Sequence, residues 1–283
     1  MFLKAVVVFF CVFGFVRSYE AKTALIVVDV QNCFLYGGTL AVGHGNEVIA
    51  VINNIRSHYD KLIALTVFTQ DWHCWNHVSF ASQHSGKKDY DVINLTYNDK
   101  GELCTSNDPR CVVKYNISQT LWPDHCVINT TDAKISANMS IQQGDVIVQK
   151  GYHCQVDSYS GFYDNGGFSH TEMNDVLKKN GITQVLVTGL ALDFCVYYTS
   201  KDAKKLGYDT FFILDATRPV FESNVKNVTA DLLSKGVHVI NSTDIGDYIR
   251  ASATRDIGDY IRASATRASS FTALVTVFVY FCI

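Results

Sequence analysis

A chain of 283 residues, 48% hydrophobic and 18% charged, is long enough for one large α/β domain or two small ones, with a sizeable core either way. The net charge of −3 is mild and no basic block occurs, which removes support for nucleic-acid binding.

From the N-terminus, residues 1–18 combine Lys4, the apolar run Ala5–Val16 and the terminal Ser18. This is the pattern of a secretory signal peptide, too short and wrongly flanked for a membrane span. Ala24-Leu-Ile-Val-Val-Asp29 is a near-continuous apolar run that predicts a strand covered on both faces. A Gly37-Gly38 turn follows, and Asn46–Tyr59 then places Val48, Ile49, Ile52 and Ile55 at helical spacing. Leu62–Phe68 predicts a second buried strand. The span Asp71–Gln143 has no strong periodicity and reads as an elaborated, ordered loop region. Alternation resumes with strand Val146–Gln149, a glycine-rich loop from Gly151 to Gly167, helix His170–Lys179 and strand Val185–Thr188. A helix opening around Cys195 comes next, then strand Thr210–Leu214, helix Ser223–Ser234 and strand Val237–Ile240. This alternation predicts an α/β fold in one domain over residues 19–243, a doubly wound six-stranded parallel sheet with helices on both faces.

Beyond it, Asp244–Arg255 returns unchanged as Asp256–Arg267. Two copies do not make a solenoid, so residues 244–270 read as a linker. Phe271 to Ile283 is uninterrupted and apolar but shorter than the roughly twenty residues a membrane span needs. With the small-residue stretch Ala263–Ser270 before it, it fits a signal for glycolipid (GPI) anchoring. Its rivals are a marginal tail anchor and a plain hydrophobic extension. Asn-x-Ser/Thr sequons at Asn94, Asn116, Asn129, Asn138, Asn227 and Asn241 predict surface N-glycosylation and favour secretion independently. Setting Cys11 and Cys282 aside with the termini leaves seven of nine cysteines. In an oxidising compartment that odd number suits three disulfides and one working thiol. Cys104 and Cys111 are the pair the loop between them singles out, while the pairing of Cys33, Cys74, Cys126 and Cys154 stays open.

In a doubly wound sheet, sites form beyond the carboxyl ends of the strands. The first predicted strand ends at Asp29, the second leads into Asp71 and His73, the third ends at Lys150 and the fourth leads to Cys195. A thiol in a helix's first turn meets unpaired N–H groups and the positive end of the dipole, and both favour thiolate. Singly, Cys195 reads as a buried cysteine, Asp29 as a turn cap and Lys150 as a solvated strand end. Together they are a nucleophile, a base and a cation to poise them. Asp71-x-His73 with a third ligand from the long loop suits a catalytic metal, with His125 and His77 as the contenders. Carboxylate and imidazole ligands accept zinc, iron or manganese. His84, His153 and His170 read as surface or loop histidines.

The segments Asp29-Val-Gln-Asn-Cys-Phe34, Thr69-Gln-Asp-Trp-His73, His77-Val-Ser-Phe80, Leu121-Trp-Pro-Asp-His-Cys126, Lys150-Gly151 and Gly189-Leu-Ala-Leu-Asp-Phe-Cys-Val196 occur in that order. Together, from about Ala24 to Ile240, they resemble the nicotinamidase branch of the isochorismatase-like hydrolases. The resemblance implies a catalytic triad of Asp29, Lys150 and Cys195, with an oxyanion hole from the N–H groups of Ala191 and Cys195. It also implies a cis bond between Leu190 and Ala191. The divalent metal, zinc foremost, would be held by Asp71, His73 and His125, with His77 beside them. Phe34, Trp122, Ala191 and Phe194 would contact the substrate ring. Phe194 stands where relatives often carry tyrosine. The implied reaction is hydrolysis of nicotinamide to nicotinate and ammonia, while the terminal segments and sequons, which depart from intracellular relatives, predict a secreted protein touching a membrane only through a glycolipid anchor. Two other readings are weighed against it: an amidase for another small carboxamide or carbamoyl compound, and a catalytically silent surface glycoprotein.

Overall fold

The computed structural model describes residues 21–105 and 110–249. The signal-like segment 1–18, Asp108-Pro109, the duplicated segment beyond residue 249 and the apolar tail 271–283 lie outside the described residues. The chain runs β1 (Thr23–Val28), α1 (Glu47–His58), β2 (Ile63–Asp71), β3 (Val92–Tyr97), β4 (Tyr115–Thr120), β5 (Val146–Lys150), α2 (Met173–Lys179), β6 (Gln184–Leu190), α3 (Tyr197–Lys205), β7 (Asp209–Arg218), α4 (Val225–Ser234) and β8 (His238–Ile240).

Six strands form one parallel sheet in the order β5-β2-β1-β6-β7-β8, as the alternation predicts. Every residue of β1 is buried, because a strand with parallel neighbours on both sides and helices over both faces has no wet side. The helices α1 and α3 both pack on β6 and β7. On α1 the apolar stripe Val48, Ile49, Ile52 and Ile55 turns inward, and burying Ile52 alone stabilises by about 1.5–3 kcal/mol. The same helix is tied to the turn before β5 by a buried fork from Arg56 to Asp145, at 2.8 and 3.1 Å.

Two boundaries differ from the sequence reading. Within Asp71–Gln143, β3 and β4 form an antiparallel hairpin, with Leu95 facing Ile117 and Tyr97 facing Tyr115. Its inner face covers a second small core with Val78 and Val156. The alternation along Val92–Tyr97 is the signal for it, a period of two within a stretch that is polar overall. The folded unit also extends past residue 243. Ile245 and Ile249 are buried against the main core, so the first half of the first 12-residue copy is packed rather than free linker.

Strand order reverses direction between β1 and β6, and there the two backbones come very close. Gly189 has φ +107°, and a Cβ on it would stand 2.0 Å from the Val28 carbonyl oxygen. Only glycine lets the sheet close at this switch point, where ligands bind in such folds.

Candidate active site

Sheet register builds the centre of the site. In the β2–β5 ladder Asp71 stands opposite Lys150. The fully buried Lys150 ammonium donates to Asp71 Oδ1 at 2.6 Å and to the Ser158 carbonyl at 2.9 Å. It also lies 2.9 Å from Asp29 Oδ2 and 3.4 Å from Cys195 Sγ. Asp29 follows β1 with a left-handed backbone, φ +48°. Thr69 fixes it there: its hydroxyl accepts the Asp29 N–H at 3.1 Å and donates to Oδ1 at 2.5 Å. The other oxygen, Oδ2, receives no well-aligned hydrogen bond and is the atom open to a proton.

Cys195 lies in a π-helical turn, Leu192–Val196, that precedes α3. The turn is held by Asp193, whose carboxylate accepts the N–H groups of Val220 and Phe221 and the Asn224 amide. The Leu190–Ala191 bond before it is cis, as the resemblance implies. Ala191 lines the cleft beside Cys195.

The electrostatics correct one expectation. Burial pushes the Cys195 thiol well above its ordinary pKa; Lys150 opposes the rise and Asp29 adds to it. The residue is only 6% exposed, so desolvation outweighs the favourable charge of the lysine and the helix end. Burial also lifts the Asp29 carboxyl to about 6, against the pull of Lys150. Burial alone would lower Lys150, but Asp29 and Asp71 hold it well above its usual range. Asp71 is the reverse case: burial would raise it, yet Lys150 and then His73 keep it ionised.

The donor atoms of Asp71, His73 and His125 lie within 4.8 Å of one another, all on buried residues. His73 Nδ1 is 2.8 Å from the Gly151 carbonyl and His125 Nδ1 is 2.7 Å from the Pro123 carbonyl. A carbonyl only accepts, so each Nδ1 carries a proton, which leaves Nε2 of each ring as the atom a metal would take. Burial, with His73 nearby, depresses His125 to about 3 and keeps it neutral. The donor set therefore fits a divalent ion. His77 stacks on His73 at 4.1 Å, and its Nδ1 is 2.7 Å from Ser79 Oγ. A second trio, His73, His77 and Asp157, is also close enough to share an ion. It is the poorer set, since burial raises the Asp157 carboxyl and disfavours its ionised form.

Phe34, Leu40, Trp122, Tyr159, Phe194 and Val220 wall the narrow cleft above these groups. Trp122 meets Phe194 edge-on at 4.7 Å, and Phe34 leans on the His125 ring at 5.5 Å. Thus Asp29, Lys150, Cys195, Asp71, His73, His125, Phe34, Trp122, Ala191 and Phe194 all converge. Sequence reasoning missed Thr69, Asp157, Tyr159 and Asp193. Thr69 is inside a quoted motif, two residues before Asp71, but its partner Asp29 is distant in sequence and gives no local signal. A wider groove along Tyr163, Tyr198, Lys201 and Lys205 holds none of the ligand trios found among the described residues.

The six cysteines other than Cys195 among the described residues form Cys33–Cys126, Cys74–Cys154 and Cys104–Cys111, and Cys195 is the free thiol. All six sequon asparagines are exposed, and among the described residues no helix is long and apolar enough to cross a membrane.

A parallel sheet with a buried cysteine, lysine and aspartate at its switch point, beside a ligand trio, defines a class of hydrolase. Residues 23–244 match the isochorismatase domain, and the chain belongs to the isochorismatase family as an amidohydrolase. It is 37% identical to a nicotinamidase of Acinetobacter baylyi over 78% of this chain and 94% of that protein. A yeast nicotinamidase solved with the inhibitor nicotinaldehyde is 33% identical, covers 78% of this chain and all of its own, and superposes with a TM-score of 0.70. A pyrazinamidase of Pyrococcus horikoshii solved with zinc is 28% identical, with 78% and 99% coverage and a TM-score of 0.59.

Proposed function

We propose that this enzyme hydrolyses nicotinamide to nicotinate and ammonia through a thioester on Cys195. The observation that carries the reading is the placement of Lys150. It lies between Asp29, Cys195 and the ligand Asp71, beneath aromatic walls that fit a flat ring.

Asp29 Oδ2 takes the thiol proton as Cys195 Sγ attacks the carboxamide carbon. A carboxyl titrating near 6 is a usable base at neutral pH, and it holds the proton long enough to return it. The oxyanion of the tetrahedral intermediate is met by the N–H groups of Ala191 and Cys195. Protonated Asp29 then delivers its proton to the amide nitrogen, the C–N bond breaks and ammonia leaves. Asp29 next takes a proton from water as the water oxygen attacks the thioester carbon, and collapse frees nicotinate and the Cys195 sulfur, which regains the proton. Lys150 compensates the negative charge that passes between sulfur and carboxylate. Asp71, His73 and His125 would hold a divalent ion, zinc foremost and iron or manganese by the same donors, which supplies a Lewis-acid contact for the ring nitrogen. Phe34, Trp122 and Phe194 flank the ring.

Ammonia release from nicotinamide and from a panel of small carboxamides and carbamoyl compounds tests this, with Cys195→Ala in parallel and with metal removed and restored. Release requiring both Cys195 and metal, and strongest for nicotinamide, is expected. A folded, metal-loaded protein without cysteine-dependent release from any amide would leave the silent glycoprotein in its place.

The reading extends to compartment. Three disulfides and six exposed sequon asparagines support a secreted glycoprotein carrying glycans at Asn94, Asn116, Asn129, Asn138, Asn227 and Asn241. Attachment to the membrane through a glycolipid at the C-terminus rests on sequence alone. Endoglycosidase treatment and phospholipase release from secretory cells check the two statements separately.

A further inference from the structure

Two of the three disulfides sit beside the ligand histidines. Cys74 follows His73 and is bonded to Cys154, three residues beyond Gly151, whose carbonyl fixes His73 Nδ1. Cys126 follows His125 and is bonded to Cys33, the residue before Phe34, whose ring leans on His125. The two ligand segments also meet directly. The His73 N–H donates to the Cys126 carbonyl at 3.1 Å, and the Ile128 N–H to the His73 carbonyl at 2.9 Å. By contrast, Cys104–Cys111 joins two residues of the loop between β3 and β4, and neither adjoins a ligand.

The mechanical need is plain from the fold. Asp71 closes β2 and is held by a ladder, whereas His73 and His125 lie outside the main sheet, on segments joined to their neighbours by isolated bridges and single hydrogen bonds. Ligands must be held within about half an ångström to bind a metal tightly. A covalent link one residue from each histidine supplies that restraint, and each reaches to the element that orients the same imidazole.

We propose that Cys33–Cys126 and Cys74–Cys154 are positioning residues for the metal site, so that retention of the ion depends on their oxidised state, while Cys104–Cys111 has no part in it. The proposal rests on the assignment of Asp71, His73 and His125 as ligands. The two links differ in access: Cys33 and Cys126 are fully buried, whereas Cys74 and Cys154 are half-exposed and are the first a reductant reaches.

The test is titration of the metal-free, full-length protein with Co2+, read by its visible absorption and by bound metal after dialysis. The wild type is compared with Cys33→Ala/Cys126→Ala, Cys74→Ala/Cys154→Ala and Cys104→Ala/Cys111→Ala, with near-UV circular dichroism to establish folding. The Kd for Co2+ is expected to rise on the order of tenfold or more in the first two variants, as for losses of partners that orient ligands. It is expected to stay within about twofold in the third. Any variant that does not fold is replaced by folded wild type reduced with a phosphine; its Kd should rise equally and recover on reoxidation. Unchanged Kd in the first two variants, or in the reduced wild type, overturns the proposal. An equal rise in the Cys104→Ala/Cys111→Ala variant also overturns it, because general loosening then explains the effect. Failure of the oxidised wild type to take up Co2+ overturns the ligand assignment itself, which distinguishes that failure from failure of the disulfide role alone.

Discussion

Replacing Lys150 by methionine keeps most of the side chain's length and removes its charge from between two buried carboxylates, 2.6 and 2.9 Å away. In the wild type, burial already lifts Asp29 from 3.8 to about 6. A carboxyl whose folded pKa lies above its unfolded value loses stability as pH rises from the unfolded value through the folded one, by about 1.4 kcal/mol per unit. For Asp29 this amounts to about 3 kcal/mol, fully present above pH 6. Lys150 is what limits the shift. Without it the folded pKa climbs further, and the penalty keeps growing with pH where the wild type has levelled off. The added loss at Asp29 therefore grows above pH 6, by up to about 1.4 kcal/mol per unit, and is small at pH 5, whereas the loss at Asp71, which Lys150 keeps ionised, is common to both pH values. Urea denaturation of both metal-free proteins at those two pH values measures the difference. An equal destabilisation at pH 5 and pH 8 would refute the account, because the loss would then come from packing rather than from an uncompensated charge.

Three further outcomes are expected. Because Asp29 must be ionised to accept the thiol proton, kcat/KM for nicotinamide should fall tenfold per unit below about pH 6, and a profile flat down to pH 4.5 excludes Asp29 as the base. Gly151→Ala would place a Cβ 2.5 Å from His73 Cε1 at a left-handed position, φ +65°. Metal content after dialysis should drop while the far-UV spectrum is kept, and full retention would show that His73 is not a ligand. Trp122→Ala removes the edge contact to Phe194 and one wall of the cleft. The KM for nicotinamide should rise roughly tenfold with little change in kcat, whereas a lowered kcat at constant KM would place Trp122 in the chemistry instead.

The elements that proved legible in the sequence are those with a single environment along their whole length. The run Ala24–Val28 is buried throughout, and the stripe on α1 repeats at one period, so a local window carries the answer. Asp29, Lys150 and Cys195 were found because each ends or follows a strand, and parallel strands deliver their ends to one edge. What local reading could not supply was register and desolvation. That Asp71 faces Lys150 is a property of the β2–β5 pairing. That burial pushes the Cys195 thiol up follows from surroundings assembled from many segments, which outweigh the local helix-end effect. The β3–β4 hairpin was passed over because its outer face, with Asn94, Thr96, Asn116 and Ser118, is polar enough to mask the alternation.

The burial of Cys195 also bears on how the folded chain keeps this thiol free. Thiol–disulfide exchange begins with a thiolate, and its rate follows the fraction of sulfur in that form. Among the described residues six cysteines are paired and a seventh, Cys195, is free. In the folded chain a buried thiol whose pKa is pushed up by that burial offers little thiolate to a passing disulfide or oxidant. That burial thereby lets one folded protein carry cystines and a free sulfhydryl side by side, each indifferent to the other's chemistry.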